Sequence, residues 1–308
     1  IFFIPLLSGF YNILFLMIIL NIFMAPVSSL ADNATITMLG DEKNLYGRLR
    51  LGGTIGFAIA APFAGMLVQK FGLISAFWGA ALMYFLAFLI SRKFVYNKQV
   101  LNIKSNGSFL HDLSALLKNS KWLFFLIAAL AGGFAMSAAN NYFLALMKDL
   151  GASESVMGLA LSLGTLCEIP LLFFGNVILK YIKAYNLFLI ALLISGIRLI
   201  LFSLVITTNQ ALFVQFFNGM TFPLFWMAGV AFIGEHAPEG MNATAQGIFS
   251  AAVFGIGTSF GGYMGGSLLG SIGARGMFQV FGLSTTIIVV IIFLSQKLMS
   301  RNQNIQMR

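Results

Sequence analysis

Nine stretches of the chain are apolar for long enough to cross a bilayer, and nothing else in the sequence constrains its fold as strongly. A span takes about 20 residues of helix. The stretches fall at 11–33, 52–69, 72–91, 122–146, 154–177, 185–206, 210–234, 245–270 and 276–296. Composition leads the same way. Of 308 residues 59% are hydrophobic and only 9% charged, against about 25% charged in a soluble domain. There is too little polar surface to cover an aqueous globule. The sequence predicts an all-α, polytopic membrane protein whose main partner is the lipid bilayer.

The 33 Phe and 32 Gly residues suit such helices, since small residues let backbones approach closely. A lone cysteine, Cys167, excludes an internal disulfide and a cysteine metal cluster. A net charge of +9 would suggest nucleic acid in a soluble protein. Here the basic residues flank apolar runs, where they set topology and meet anionic lipid. No nucleic-acid role is expected. The opening IFFIPLL has no Met, basic region or cleavage site. It does not read as a signal peptide but as the last turns of a helix entered part-way.

One link is long. SRKFVYNKQVLNIKSNGSFLHDLSALLKNSKW, 91–122, is polar and basic, with apolar residues recurring at Leu110, Leu113, Leu116 and Leu117. This pattern predicts a short helix on the membrane surface. The link divides the chain into 1–90, the loop 91–121, and 122–308. With that loop placed in the cytoplasm, the inside receives Lys43, Arg48, Arg50, Arg92, Lys93, Lys98, Lys104, Lys118, Lys121, Lys180, Lys183, Lys297, Arg301 and Arg308. The outside receives only Lys70, Lys148 and Arg275. This positive-inside bias puts the C-terminus in the cytoplasm. An incomplete helix, three spans, a loop and six spans is the arithmetic of a two-half carrier lacking its first two to three helices.

Arg198 stands in LFLIALLISGIRLILFSLVI, otherwise free of charge. A charge at that depth costs at least a few kcal/mol and marks a functional site by default. It needs a carboxylate or a wet cavity. Glu168, in LGTLCEIPLLFF one span earlier, is one candidate, and Asp32, in NIFMAPVSSLADNATI, is another. A carboxylate there can gain and lose a proton as its partner moves, which is what proton coupling needs. Polar residues recur elsewhere: Asn140 and Asn141, Gln215, Asn218 and Thr221, and Gln246. Spread over several helices, they read as a hydrophilic path, with Phe143, Phe57 or Trp226 as stacking faces. The glycines of 255–273 serve helix contact or bending. There is no G-x-x-x-x-G-K-[ST]. Cys, His and Asp do not cluster, and His111 and His236 read as exposed loop residues. Neither enzyme, metal nor cofactor is expected.

YGRLRLGGTIGFAIAAPFAGMLVQKFG (46–72), EHAPEGMNATAQGIFSAAVFGIGTSFGGYMGG (235–266) and the pairing of Glu168 with GIRLI resemble the major facilitator superfamily. The branch resembled holds the lactose permease, the phenylpropionate permease and the nucleoside/proton symporters. The resemblance implies two helical bundles and proton-coupled uptake of a small hydrophilic solute, sugar or nucleoside, by a monomer in a bacterial cytoplasmic membrane. Aromatic-acid uptake, facilitation and efflux are the alternatives. It assigns Asp32 to the fourth-helix acid, Arg50 to the substrate arginine and Phe57 to the stacking aromatic. Glu168 becomes the coupling glutamate and Arg198 its arginine. Asn218 and Thr221 stand where the lactose-type pattern has His and Glu, so Asp32 and Glu168 are left to carry coupling. Asn140 and Asn141 join Asn218, Thr221 and Glu168 as expected substrate contacts.

Overall fold

A computed structural model describes residues 1–24, 27–40, 46–94, 119–238 and 241–306. The surface helix expected within 91–122 falls mostly outside them, as does His111. Among the described residues there are helices and no strand. Seven helical stretches are long and apolar enough to cross a membrane, and Phe10–Met24 is a shorter apolar helix. The chain divides into two compact units.

The first unit comprises the described residues of 1–104 together with Ser153–Ser162. It holds α1 (Phe10–Met24), α2 (Val27–Leu39), α3 (Tyr46–Phe71) and α4 (Ile74–Ser91). The single span expected over 11–33 is thus two helices, and the second runs on to Leu39. The start of α7 (Glu154–Leu166) packs on α3 in this unit, although the division read from sequence put it with the later helices. Glycine makes the contact: a Cβ on Gly158 would stand 2.4 Å from the Ala61 carbonyl oxygen, and one on Gly65 2.4 Å from that of Glu154. Ser162 donates to the Ala58 carbonyl, closing the same seam.

The second unit holds α5 (Ser120–Asn141), α6 (Phe143–Asp149), α8 (Glu168–Tyr181), α9 (Ala184–Leu204), α10 (Thr208–Gln215), α11 (Phe222–His236), α12 (Asn242–Ser250) and α13 (Thr258–Gln306). Its core is aromatic. Phe125 stacks on Phe232 at 4.4 Å and on Phe249 at 5.2 Å, and Phe188 on Phe225 at 4.5 Å. Such pairs stabilise by about 1 kcal/mol each beyond their area. In lipid this shape fit matters more than burial, because tails are as apolar as the core. Phe143, expected as a stacking face for solute, is buried here at 2% exposure, with Phe202 at 5.2 Å. In helices that are apolar all round, spacing does not tell a core ring from a lining one.

Other expected spans are interrupted too. The span 154–177 breaks at Cys167, between α7 and α8, with Pro170 in the first turn of α8. The span 210–234 breaks at a five-residue 3₁₀ turn, Phe216–Met220, after which Pro223 opens α11. Proline has no N–H to continue a helix and restricts the residue before it. Between α12 and α13 the helix widens into a π turn, Ala251–Gly257. α13 itself holds the end of the span 245–270 and all of 276–296, separated at Gly273, whose φ of 72° suits only glycine.

Candidate functional site

Arg198 lies in the middle of α9 and is 4% exposed. Its Nη2 donates to Gln215 Oε1 at 2.6 Å, and its Nη1 to Thr221 Oγ1 at 3.3 Å. Its guanidinium sits over the Phe202 ring, 5.1 Å from the centroid. Its Nε is buried without an acceptor. The expected direct ion pair with Glu168 is not formed. Glu168 Oε1 instead accepts from Asn218 Nδ2 at 2.6 Å.

Asn218 joins the two. Its amide nitrogen also donates to the Gly164 carbonyl at 3.2 Å, in the last turn of α7. Its own carbonyl accepts from Thr221 Oγ1 at 2.7 Å. The order is therefore Glu168, Asn218, Thr221, Arg198, Gln215. Both charges end on one short segment, the 3₁₀ break, which would not exist had 210–234 been a continuous helix. Breaks free backbone groups that polar side chains then satisfy, as here at Gly164.

Gly219 is what lets the break approach. A Cβ there would stand 2.0 Å from the Cys167 carbonyl oxygen, a backbone atom that cannot turn away. We expect Gly219→Ala to push the segment off the start of α8 and part Asn218 from Glu168. The cost to stability should be about 1–3 kcal/mol, with a larger loss of transport. Thermal melting and uptake, measured on the same preparation, separate the two. Uptake falling only as far as folded protein does would leave Gly219 a packing residue.

Arg198, Asn218 and Thr221 line a recess with Asn140, Ser195 and the rings of Phe222 and Phe225. The space inside it is small, ≈ 30 Å³, room for about one or two waters. Asn141 is not among its lining residues and donates to Ser137 Oγ at 3.0 Å. Trp226 packs on Phe249 at 5.0 Å. Sequence reading named Gln215 only as a polar residue of the path and did not name Ser195. Ser195 lies one helical turn before Arg198, the signal that would have found it.

This is a helical membrane unit with a buried cation and a carboxylate meeting at a helix break. The MFS_1 like family model matches residues 1–280. The chain belongs to that family, within the major facilitator superfamily. It is 25% identical over 268 residues to the uncharacterized transporter YwbF of Bacillus subtilis, covering 85% of this chain and 65% of that one. It is 23% identical to a maltose permease of Geobacillus stearothermophilus, over 94% of this chain and 73% of that one. Against the major facilitator superfamily domain-containing protein 6-like protein B of Xenopus laevis the identity is 23%, over 93% of this chain and 48% of that one. The chain thus spans about half to two thirds of the length of the first and third of these. The fold is that of the nucleoside transporter NupG, with a TM-score of 0.72 at 20% identity over 87% of this chain and 73% of that one. YwbF, the maltose permease and NupG are carriers by name, and the family places this member with transporters rather than enzymes.

The other expected site residues of this family member lie in the first unit. Phe57 is in α3 and 51% exposed. The backbones of Asp32 and Arg50 are in α2 and α3, and their side chains fall outside the described ones. Among the described residues no group of His, Cys, Asp and Glu could hold a metal. His236 is the last residue of α11 rather than a loop residue, with its ring stacked 4.4 Å from Phe232.

Proposed function

We propose that this chain is the greater part of a proton-coupled carrier that takes up a small hydrophilic solute, a sugar or a nucleoside, by alternating access. The observation that carries the reading is the bonded chain from Glu168 through Asn218 and Thr221 to Arg198 in the wall of a recess. Neutral amides and hydroxyls beside aromatic rings suit polyols and nucleosides. A maltose permease among the relatives and a nucleoside transporter of the same fold support that class. Asn140 and Asn218 would bind solute, with Thr221 beside them. In this reading Asp32, Arg50 and Phe57 add contacts from the other bundle. Asn141 would join them when the helices rearrange. The carrier works as a monomer in a bacterial cytoplasmic membrane, its C-terminus inside.

Protonation has a definite consequence here. Glu168 Oε1 accepts from the Asn218 amide. Protonation turns a charged acceptor into a neutral one and weakens its hold on the Asn218 amide. Asn218 is then held less firmly to α8, and the 3₁₀ segment with it. A proton thus acts on the one element that also grips Arg198, so loading and helix movement are linked.

The test is uptake by cells in weakly buffered suspension, expressing the whole gene and lacking related carriers. Sugars and nucleosides are added one at a time while external pH is recorded. Alkalinisation with one of them is expected. In Glu168→Gln, accumulation should vanish while exchange of internal for external solute continues. Proton-driven accumulation surviving in that variant would refute coupling through Glu168. Acidification or raised drug sensitivity on deletion would indicate efflux.

A further inference from the structure

The second unit carries another cavity, of ≈ 570 Å³, about a dozen residues along α5 from the recess, roughly 18 Å at the rise of a helix. It opens where α5 and α9 begin and where α11 and α13 draw to their ends. Its aromatic lining is Phe124 and Tyr185, with the Phe232 ring held between Phe125 and His236. Its charged lining residues are Lys121 from α5, Lys183 at the start of α9, and Glu235 with His236 from α11. The walls are tied together. Trp122 Nε1 donates to the His236 carbonyl at 3.3 Å, and Gln296 donates to the Tyr185 hydroxyl. Glu235 lies against His236, its oxygen 3.9 Å from Nδ1.

We propose that this cavity binds a phosphate-bearing ligand, with the phosphate on Lys121 and Lys183 and its apolar body over the rings. Two lysines from different helices supply mobile point charges, as phosphate sites use. No side chain caps the start of α9, so the N–H groups of its first turn add to the same positive field. Among the described residues Glu235 is the only carboxylate lining the cavity, and the lysines outnumber it. Basic cavities between membrane helices take anionic headgroups in this way. The rings give an organic phosphate contacts that a bare inorganic ion lacks. Two sources share the chemistry: an anionic phospholipid of the adjoining leaflet, and a soluble organic phosphate. The inference is independent of the solute carried in the recess.

The test is thermal melting of the full chain in neutral detergent with phosphatidylcholine. One arm adds phosphatidylglycerol and the other glycerol 3-phosphate. A saturable rise in melting temperature is expected in at least one. Its half-saturation should rise about fivefold in Lys121→Gln or Lys183→Gln, from about 1 kcal/mol per lysine. The double variant should lose the effect, and Lys→Arg at both positions should keep it. Protection by phosphatidylglycerol alone assigns a lipid, and protection by glycerol 3-phosphate assigns a soluble ligand. No protection in either arm overturns the proposal, as does protection equal in the parent and the double variant. Both lysines are exposed, so the variants keep the fold, and gel filtration checks it.

Discussion

Replacing Arg198 by Met leaves a carrier that folds, inserts and melts close to the parent, yet its uptake falls about 30-fold. The two halves of this expectation have different causes. Burying a guanidinium costs several kcal/mol, and a neutral side chain of similar reach removes that cost. Arg198 is 4% exposed, and no carboxylate among the described residues pairs with it directly. Against this, Gln215 Oε1 loses its donor, at about 1–3 kcal/mol. Thr221 keeps its bond to the Asn218 carbonyl. The terms nearly cancel, so stability changes little. Transport does not share the cancellation. A charge held on neutral partners, with its Nε unsatisfied, has no reason of stability to be there. Losing the hydrogen bonds of a charged donor costs about 2 kcal/mol, roughly 30-fold. Arg198→Lys should fall between, because one ammonium cannot reach Gln215 and Thr221 with the same fork. Normal uptake in Arg198→Met would remove the residue from the mechanism. A variant that fails to fold would make it structural.

The sequence carried the two charges and two of the linking residues for a simple reason. Ionisable groups are costly in a span, so Arg198 and Glu168 stand out against their neighbours, and Asn218 and Thr221 recur close to a proline. What it did not carry was how they meet. Pairing Glu168 with Arg198 directly is the economical guess when both helices are taken as continuous. The break at Phe216–Met220 inserts Asn218 and Thr221 between them instead. Nothing in the hydropathy of 210–234 announces a 3₁₀ turn, since the apolar count is the same either way. The π turn at Ala251–Gly257 is silent for the same reason. Phe143 went astray because a span that is apolar on all sides has no face to read.

That π turn supports the prediction with the largest effect on stability. Gly133→Val should prevent the second unit from assembling, with little folded protein recovered from membranes. α5 and the π turn meet backbone to backbone. A Cβ on Gly133 would stand 2.2 Å from the Val253 carbonyl oxygen and 2.9 Å from its carbon. From the other side, one on Gly257 would stand 2.7 Å from the Leu130 carbonyl oxygen. One on Gly261 would meet Ser137 Cβ at 2.7 Å. Gly257 and Gly261 are one turn apart, so the seam is a stripe along which the two helices share surface. A side chain could swing aside, but these neighbours are mostly main chain, so the helices themselves must part. Overpacking usually costs about 1–3 kcal/mol, and a wedge against backbone belongs at or beyond the top of that range. Most domains have only about 5–15 kcal/mol in hand, and the separation would also open the aromatic core behind α5. Gly247→Ala is the matched control. It lies in α12, where a Cβ would meet nothing within 4 Å, and should be neutral or gain up to about 1 kcal/mol of helix propensity. Recovery and melting temperature of the two variants, side by side, decide the matter. If Gly133→Val folds as well as Gly247→Ala, the seam is not close-packed and the π turn does not hold α5 in place.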